Sequence, residues 1–127
     1  LPCDDIKKKI LIIDDEPDLV KTLQITLEQE NYECLTAHDG KQGLRRAYEW
    51  KPDLIVLDVM LPGMDGYQVC RALKLNARLK QVPIIMLTVK ASTENRIMGE
   101  ASGAAHYITK PFSEEKLIAK IEELLDT

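Results

Sequence analysis

Three apolar runs in this chain stop abruptly at polar residues, and that pattern constrains the fold more than any other feature. Ile10-Leu11-Ile12-Ile13 is followed by Asp14-Asp15, Leu54-Ile55-Val56-Leu57 by Asp58, and Ile84-Ile85-Met86-Leu87 by Thr88. A fourth, shorter run, Tyr107-Ile108-Thr109, is followed by Lys110-Pro111. Four-residue apolar runs without alternation predict strands buried on both faces, as in a parallel sheet covered by helices. Such a sheet gathers whatever lies at its strand carboxyl ends into one crevice. Three carboxylates, a hydroxyl and an ammonium would meet there, which is a site for a divalent cation and a phosphoryl group.

Helical patterns alternate with these strands. Pro17 stands where a first helix begins, with Asp18 in its first turn and Leu19, Val20, Leu23 and Leu27 forming an apolar stripe. Glu33 to Ala37 is a weaker second strand, and Asp39-Gly40 reads as a turn after it. Leu44, Ala47 and Tyr48 mark a second helix that Lys51-Pro52 terminates, and Tyr67, Cys70 and Leu73 supply the core side of a third. Ser92 or Thr93 caps an expected fourth helix carrying Ile97, Met98 and Ala101, which stops at Gly103. Ser113 caps a last helix with Leu117, Ile118, Ile121, Leu124 and Leu125 on one face. Five β-α units in a row predict an α/β fold, a parallel sheet with right-handed crossovers and helices on both faces. The expected organisation is an amino-terminal lead-in over residues 1–8 and one domain over 9–127.

With 127 residues, 45% hydrophobic and 30% charged, the chain suits one globular domain rather than a disordered segment. No apolar stretch approaches the ~20 residues that span a bilayer, and Leu1 to Asp5 lacks the pattern of a signal peptide. Leu1, in place of an initiator methionine, predicts a processed chain or a fragment. A formal charge of −4 argues against direct nucleic-acid binding, and Lys7-Lys8-Lys9 reads as a solvated lead-in. Cys3, Cys34 and Cys70 show no metal-ligand spacing and read as reduced thiols of a cytoplasmic protein, Cys34 and Cys70 as small core residues.

The crevice chemistry follows from residue types. Mg²⁺ prefers oxygen ligands and takes few carboxylates. Asp14-Asp15 and Asp58 can supply them, with one of the adjacent pair binding directly and the other acting through water or as an orienting group. Asp58, ionised at neutral pH, can itself attack phosphorus without a general base. Lys110 and Thr88 can hold phosphoryl oxygens. Each residue alone has an ordinary account as a cap, a turn former or a surface lysine. Their shared position at the ends of successive buried strands favours a common purpose.

These residues, in this order and spacing, resemble the receiver domain of two-component response regulators. The likeness runs from about Lys9 to Leu125. It rests on Ile13-Asp14-Asp15-Glu16, Asp58 through Gly66, Leu87-Thr88 and Tyr107-Ile108-Thr109-Lys110-Pro111-Phe112. The resemblance implies a flavodoxin-like five-stranded sheet of order 2-1-3-4-5. It implies Asp58 as phosphoacceptor for a sensor histidine kinase or phosphotransfer protein, and a downstream effector domain or protein as the output. It further implies Mg²⁺, or Mn²⁺ in its place, held by Asp15 and Asp58, by Asp14 through water and by the backbone carbonyl of Met60. Thr88 and Lys110 match the phosphate-contacting pair, Thr88 and Tyr107 the switch pair, and the peptide bond before Pro111 is expected to be cis.

Two details depart from the family pattern. Ala105 and His106 stand where many members carry acidic residues. The phosphorylation-dependent homodimer that such members form therefore lacks an acidic mate for Lys120. Val89 and Met60 flank the phosphoryl position and bear on how water reaches it. A Mg²⁺-dependent hydrolase is the competing reading, but Val59-Met60-Leu61 offers no second carboxylate and no insertion is long enough for a substrate cap.

Overall fold

Each of the three central apolar runs became a strand with no exposed face. A computed structural model describes residues 7–89 and 103–125. It contains strands β1 (Lys9–Ile13), β2 (Glu33–Ala37), β3 (Leu54–Asp58), β4 (Ile84–Thr88) and β5 (His106–Thr109). Helices α1 (Pro17–Gln29), α2 (Gly40–Trp50) and α3 (Gly66–Leu75) lie between them, and a last helix spans Glu114–Leu125. The expected fourth helix of Ile97, Met98 and Ala101 lies outside the described residues, as does Cys3. All strand pairs are parallel and the order is β2-β1-β3-β4-β5. Among the described residues no helix is long and apolar enough to cross a membrane.

The pleat divides the core into two. Leu11, Ile13, Ile55, Leu57, Ile84 and Met86 pack with Ala47 of α2 and Val69, Cys70 and Leu73 of α3. Their neighbours Ile10, Ile12, Leu54, Val56, Ile85 and Leu87 pack with Leu23 and Leu27 of α1 and Leu117 and Ile121 of the last helix. Period-two alternation sends adjacent side chains to opposite faces, so an unbroken apolar run fills both cores. The edge strands β2 and β5 are only partly buried, which is why their sequences are less apolar.

Helix α2 sits close to β1 because it presents glycine there. A Cβ at Gly43 would come within 2.6 Å of Ile13 Cδ1. Several local expectations need correction. Asp39 is not a turn residue but the N-cap of α2, its carboxylate accepting from Gln42 N–H at 2.7 Å, so Gly40 already belongs to the helix. Tyr48 faces water rather than the core. Cys34 is half-buried while Cys70 is fully buried. Lys9 is not solvated lead-in but the first residue of β1. Its ammonium donates to the Trp50 carbonyl at 2.7 Å and lies 5.2 Å from the Trp50 ring centre, clasping β1 to the end of α2.

Candidate active site at the strand carboxyl ends

Register brings the polar residues together. Ile13 pairs with Leu57, which sets Asp14 level with Asp58; Asp58 pairs with Leu87 and Thr88 with Thr109. Backbone bonds continue the ladder one step past the strands, from Asp14 N–H to the Ala37 carbonyl at 3.0 Å and from Lys110 N–H to the Thr88 carbonyl at 2.6 Å. Because the chain leaves β1 toward β2 and returns on the other side as β3, the crevice opens between β1 and β3.

At its centre stands Lys110. Its Nζ lies 2.8 Å from Glu16 Oε1, 3.2 Å from Asp14 Oδ2 and 3.4 Å from Asp58 Oδ1. The peptide bond following it, to Pro111, is cis as expected. Asp14, Asp58 and Thr88 are buried, Asp14 almost completely. Asp14 Oδ1 also accepts the Glu16 N–H at 3.0 Å, and Asp58 Oδ1 lies 3.4 Å from the Met60 N. The loop after Asp58 turns back beneath it, with Gly66 N–H donating to the Val59 carbonyl at 2.8 Å.

Burial raises the Asp58 carboxyl to about 6, and the nearby Asp14 charge adds to it against the opposing pull of Lys110. Asp14 is raised for the same first reason, opposed by the Glu16 N–H and Lys110. Burial acts against the Lys110 ammonium, yet the hydrogen bond to Glu16 and the charges of Asp14 and Asp58 outweigh it and push it up to about 12.

Oxygens of Asp14, Glu16 and Asp58 all lie within 4.8 Å of one another. One ammonium among three carboxylates leaves excess negative charge, and the donors are all hard oxygens. The set therefore fits a small divalent cation such as Mg²⁺, with Asp14 and Asp58 as its buried members and Glu16, exposed, already engaged by Lys110. Glu16 belongs to this constellation although its sequence position gave it no role. Asp15 is exposed beside Asp14, and the two line a cleft of about 430 Å³ together with Thr36, His38 and Arg46. Met60 is exposed at the crevice mouth, as is Val89. Tyr107 pairs with Met86, is half-buried against the α2 and α3 core, and its ring stacks on His106 with centres 6.3 Å apart.

Residues 10–122 match the family model described as the response regulator receiver domain. The chain belongs to that family. This receiver domain is 44% identical over 120 residues to the alkaline phosphatase synthesis transcriptional regulatory protein PhoP of Bacillus subtilis (strain 168), covering 94% of this chain and 49% of that protein. It is 41% identical over 122 residues to the DNA-binding response regulator MtrA of Mycolicibacterium smegmatis (strain ATCC 700084 / mc(2)155), covering 96% and 52%. The domain thus spans about half the length of these curated relatives.

Among solved structures, the chemotaxis protein CheY4 of Vibrio cholerae superposes with a TM-score of 0.90 at 33% identity, covering 94% of this chain and all of that one (100%). The receiver domain of the sensor histidine kinase PA1611 from Pseudomonas aeruginosa PAO1 superposes with a TM-score of 0.88 at 28% identity, covering 96% and 100%. It carries a magnesium ion coordinated in its active-site cleft.

Proposed function

We propose that this receiver domain accepts a phosphoryl group on Asp58, from a phosphohistidine of a sensor histidine kinase or phosphotransfer protein, in a Mg²⁺-dependent reaction. The observation that carries the reading is a buried carboxylate, Asp58, held 3.4 Å from the Lys110 ammonium at the crevice of the sheet. With Oδ1 beside Lys110 and the Met60 N, each at 3.4 Å, Oδ2 is the proposed nucleophile. Oδ2 forms a bond to phosphorus as the P–N bond breaks, and the electron pair returns to the donor imidazole nitrogen. Lys110 and Thr88 then bind oxygens of the acyl phosphate, charge stabilisation of the kind that phosphoryl transfer depends on.

Asp14, Asp15, Asp58 and the Met60 carbonyl are the proposed holders of Mg²⁺, or of Mn²⁺. The bound cation offsets repulsion between the anionic donor and the crevice carboxylates. Water attack on the acyl phosphate reverses the modification, so the domain promotes both its own phosphorylation and its own dephosphorylation. Phosphorylation biases a two-state arrangement of Thr88 and Tyr107, and the altered surface controls a downstream effector domain or protein. The unit runs over residues 9–127, acts in the cytoplasm and touches neither nucleic acid nor membrane itself. A phosphorylation-dependent homodimer would have to form without an acidic mate for Lys120.

Incubation with Mg²⁺ and a phosphoramidate donor, followed by intact-mass measurement, tests the reading. The unaltered protein gains one phosphoryl group and Asp58→Asn gains none. Equal labelling of the two would show that the acceptor lies elsewhere.

A further inference from the structure

Glu16 opens α1 without capping it. Its side chain accepts no hydrogen bond from the first turn, where the residue at this position usually satisfies an orphan N–H. Oε1 reaches Lys110 Nζ instead, at 2.8 Å the shortest of that ammonium's three ionic contacts among the described residues. The backbone beneath is fixed at both ends: Glu16 N–H donates to Asp14 Oδ1 and the Glu16 carbonyl accepts from Val20 N–H, each at 3.0 Å. The side chain itself is 60% exposed, against 12% for Lys110. One end of the pair is anchored in the crevice and the other can swing into water.

An ammonium has three donors, and those of Lys110 face three carboxylate oxygens, one each from Glu16, Asp14 and Asp58. A phosphoryl group on Asp58 brings three strong acceptors. Asp58 Oδ1 becomes the uncharged carbonyl oxygen of the acyl phosphate and gives way first; any further turn of Lys110 toward the phosphoryl oxygens must come at the expense of Asp14 or Glu16. Releasing the buried Asp14 would break an ion pair that water cannot replace, which is costly. Releasing Glu16 returns an exposed carboxylate to solvent at little cost.

We propose that Glu16 is a positioning residue that holds Lys110 in the unphosphorylated domain, and that breaking the Glu16–Lys110 pair is a step in phosphorylation. The proposal rests on Asp58 being the phosphoacceptor. Glu16 thereby slows phosphoryl transfer, and it does so through reach as well as through charge.

Three variants test it with a small phosphoramidate donor at saturating Mg²⁺. Glu16→Gln removes the charge, and Glu16→Asp keeps the charge but shortens the reach by one methylene. Asp18→Asn removes a carboxylate from the first turn of the same helix as a charge control. Both Glu16 variants are expected to be labelled about two- to fivefold faster than the unaltered protein, the scale of one ion pair with an exposed partner, and Asp18→Asn at an unchanged rate. Mg²⁺ affinity, measured by calorimetry without donor, is expected to stay within about twofold, as for an exposed pair that does not ligate the ion. Four results would each overturn the proposal: an unchanged or lower rate for Glu16→Gln, a rate for Glu16→Asp equal to that of the unaltered protein, an equal gain from Asp18→Asn, or a larger loss of Mg²⁺ affinity, which would make Glu16 a cation ligand. Absence of Asp58-dependent labelling in the unaltered protein would instead remove the phosphoacceptor reading itself.

Discussion

Gly66 lies so close beneath the end of β3 that a Cβ at position 66 would stand 2.3 Å from the Asp58 carbonyl oxygen and 2.7 Å from the Val59 Cα. Both neighbours are backbone, so neither can yield by a change of rotamer. The first residue of α3 and the last residue of β3 therefore fix each other.

Gly66→Ala is accordingly expected to destabilise the fold by about 1–3 kcal/mol, the usual cost of overpacking, and to slow labelling of Asp58 by displacing it. Urea unfolding and intact-mass kinetics check the two effects. Wild-type stability together with a wild-type rate would show that the loop relaxes freely.

The buried carboxylates make the metal-free fold sensitive to pH. Asp58 is raised from 3.8 to about 6 by burial and by Asp14. Between those values the folded state holds a proton that the unfolded state has released. Stability therefore falls as pH rises from 3.8 to about 6 and levels off above. Asp14, also raised, adds in the same direction. The Lys110 shift acts only above its ordinary value of 10.5. Asp58→Asn should make the metal-free protein more stable at pH 7 by about 1–3 kcal/mol, taking ~1.4 kcal/mol per pKa unit, and should remove most of the fall. Adding Mg²⁺ should raise the Tm of the unaltered protein more than that of the variant. Thermal unfolding across pH 4–8 measures all three, and a lower Tm for Asp58→Asn at pH 7 without metal would contradict the assignment.

Asp65 tests whether the start of α3 matters beyond Gly66. Its carboxylate accepts the Gln68 N–H at 2.9 Å while Gln68 Oε1 accepts the Asp65 N–H at 3.1 Å, a closed capping box. Asp65→Ala is expected to cost about 1 kcal/mol, the usual value of an N-cap. Its bonds run to the helix rather than into the crevice, so labelling of Asp58 should stay within about twofold of the unaltered rate, a change smaller than that cap's worth. A collapse in rate at modest cost in stability would place the cap within the phosphoryl site's support.

Much of the fold was legible because burial on both faces leaves a strand no polar positions, so β1, β3 and β4 could be read directly. The edge strands were weaker because one side of each meets solvent, and β5 begins one residue earlier than its apolar run, at His106. Asp39 was misread because turns and N-caps draw on the same residues. In the site, the ends of the runs pointed to Asp14, Asp15, Asp58, Thr88 and Lys110. Glu16 escaped because it sits past the strand, on the first turn of the connection, where spacing carries no information about which way a long side chain swings. One signal was present but unread: the residue before Pro17 is not one of the Ser, Thr, Asp or Asn that favour an N-cap.

The split of the interior has an evolutionary consequence. The two apolar clusters draw on alternate residues of the same strands and meet different helices, so a substitution that remodels one side of the sheet leaves the other side's packing in place. The chemical centre belongs to neither side but to the strand tips they share. Helices on one flank can thus drift to suit new partners while the reactive tips are inherited unchanged.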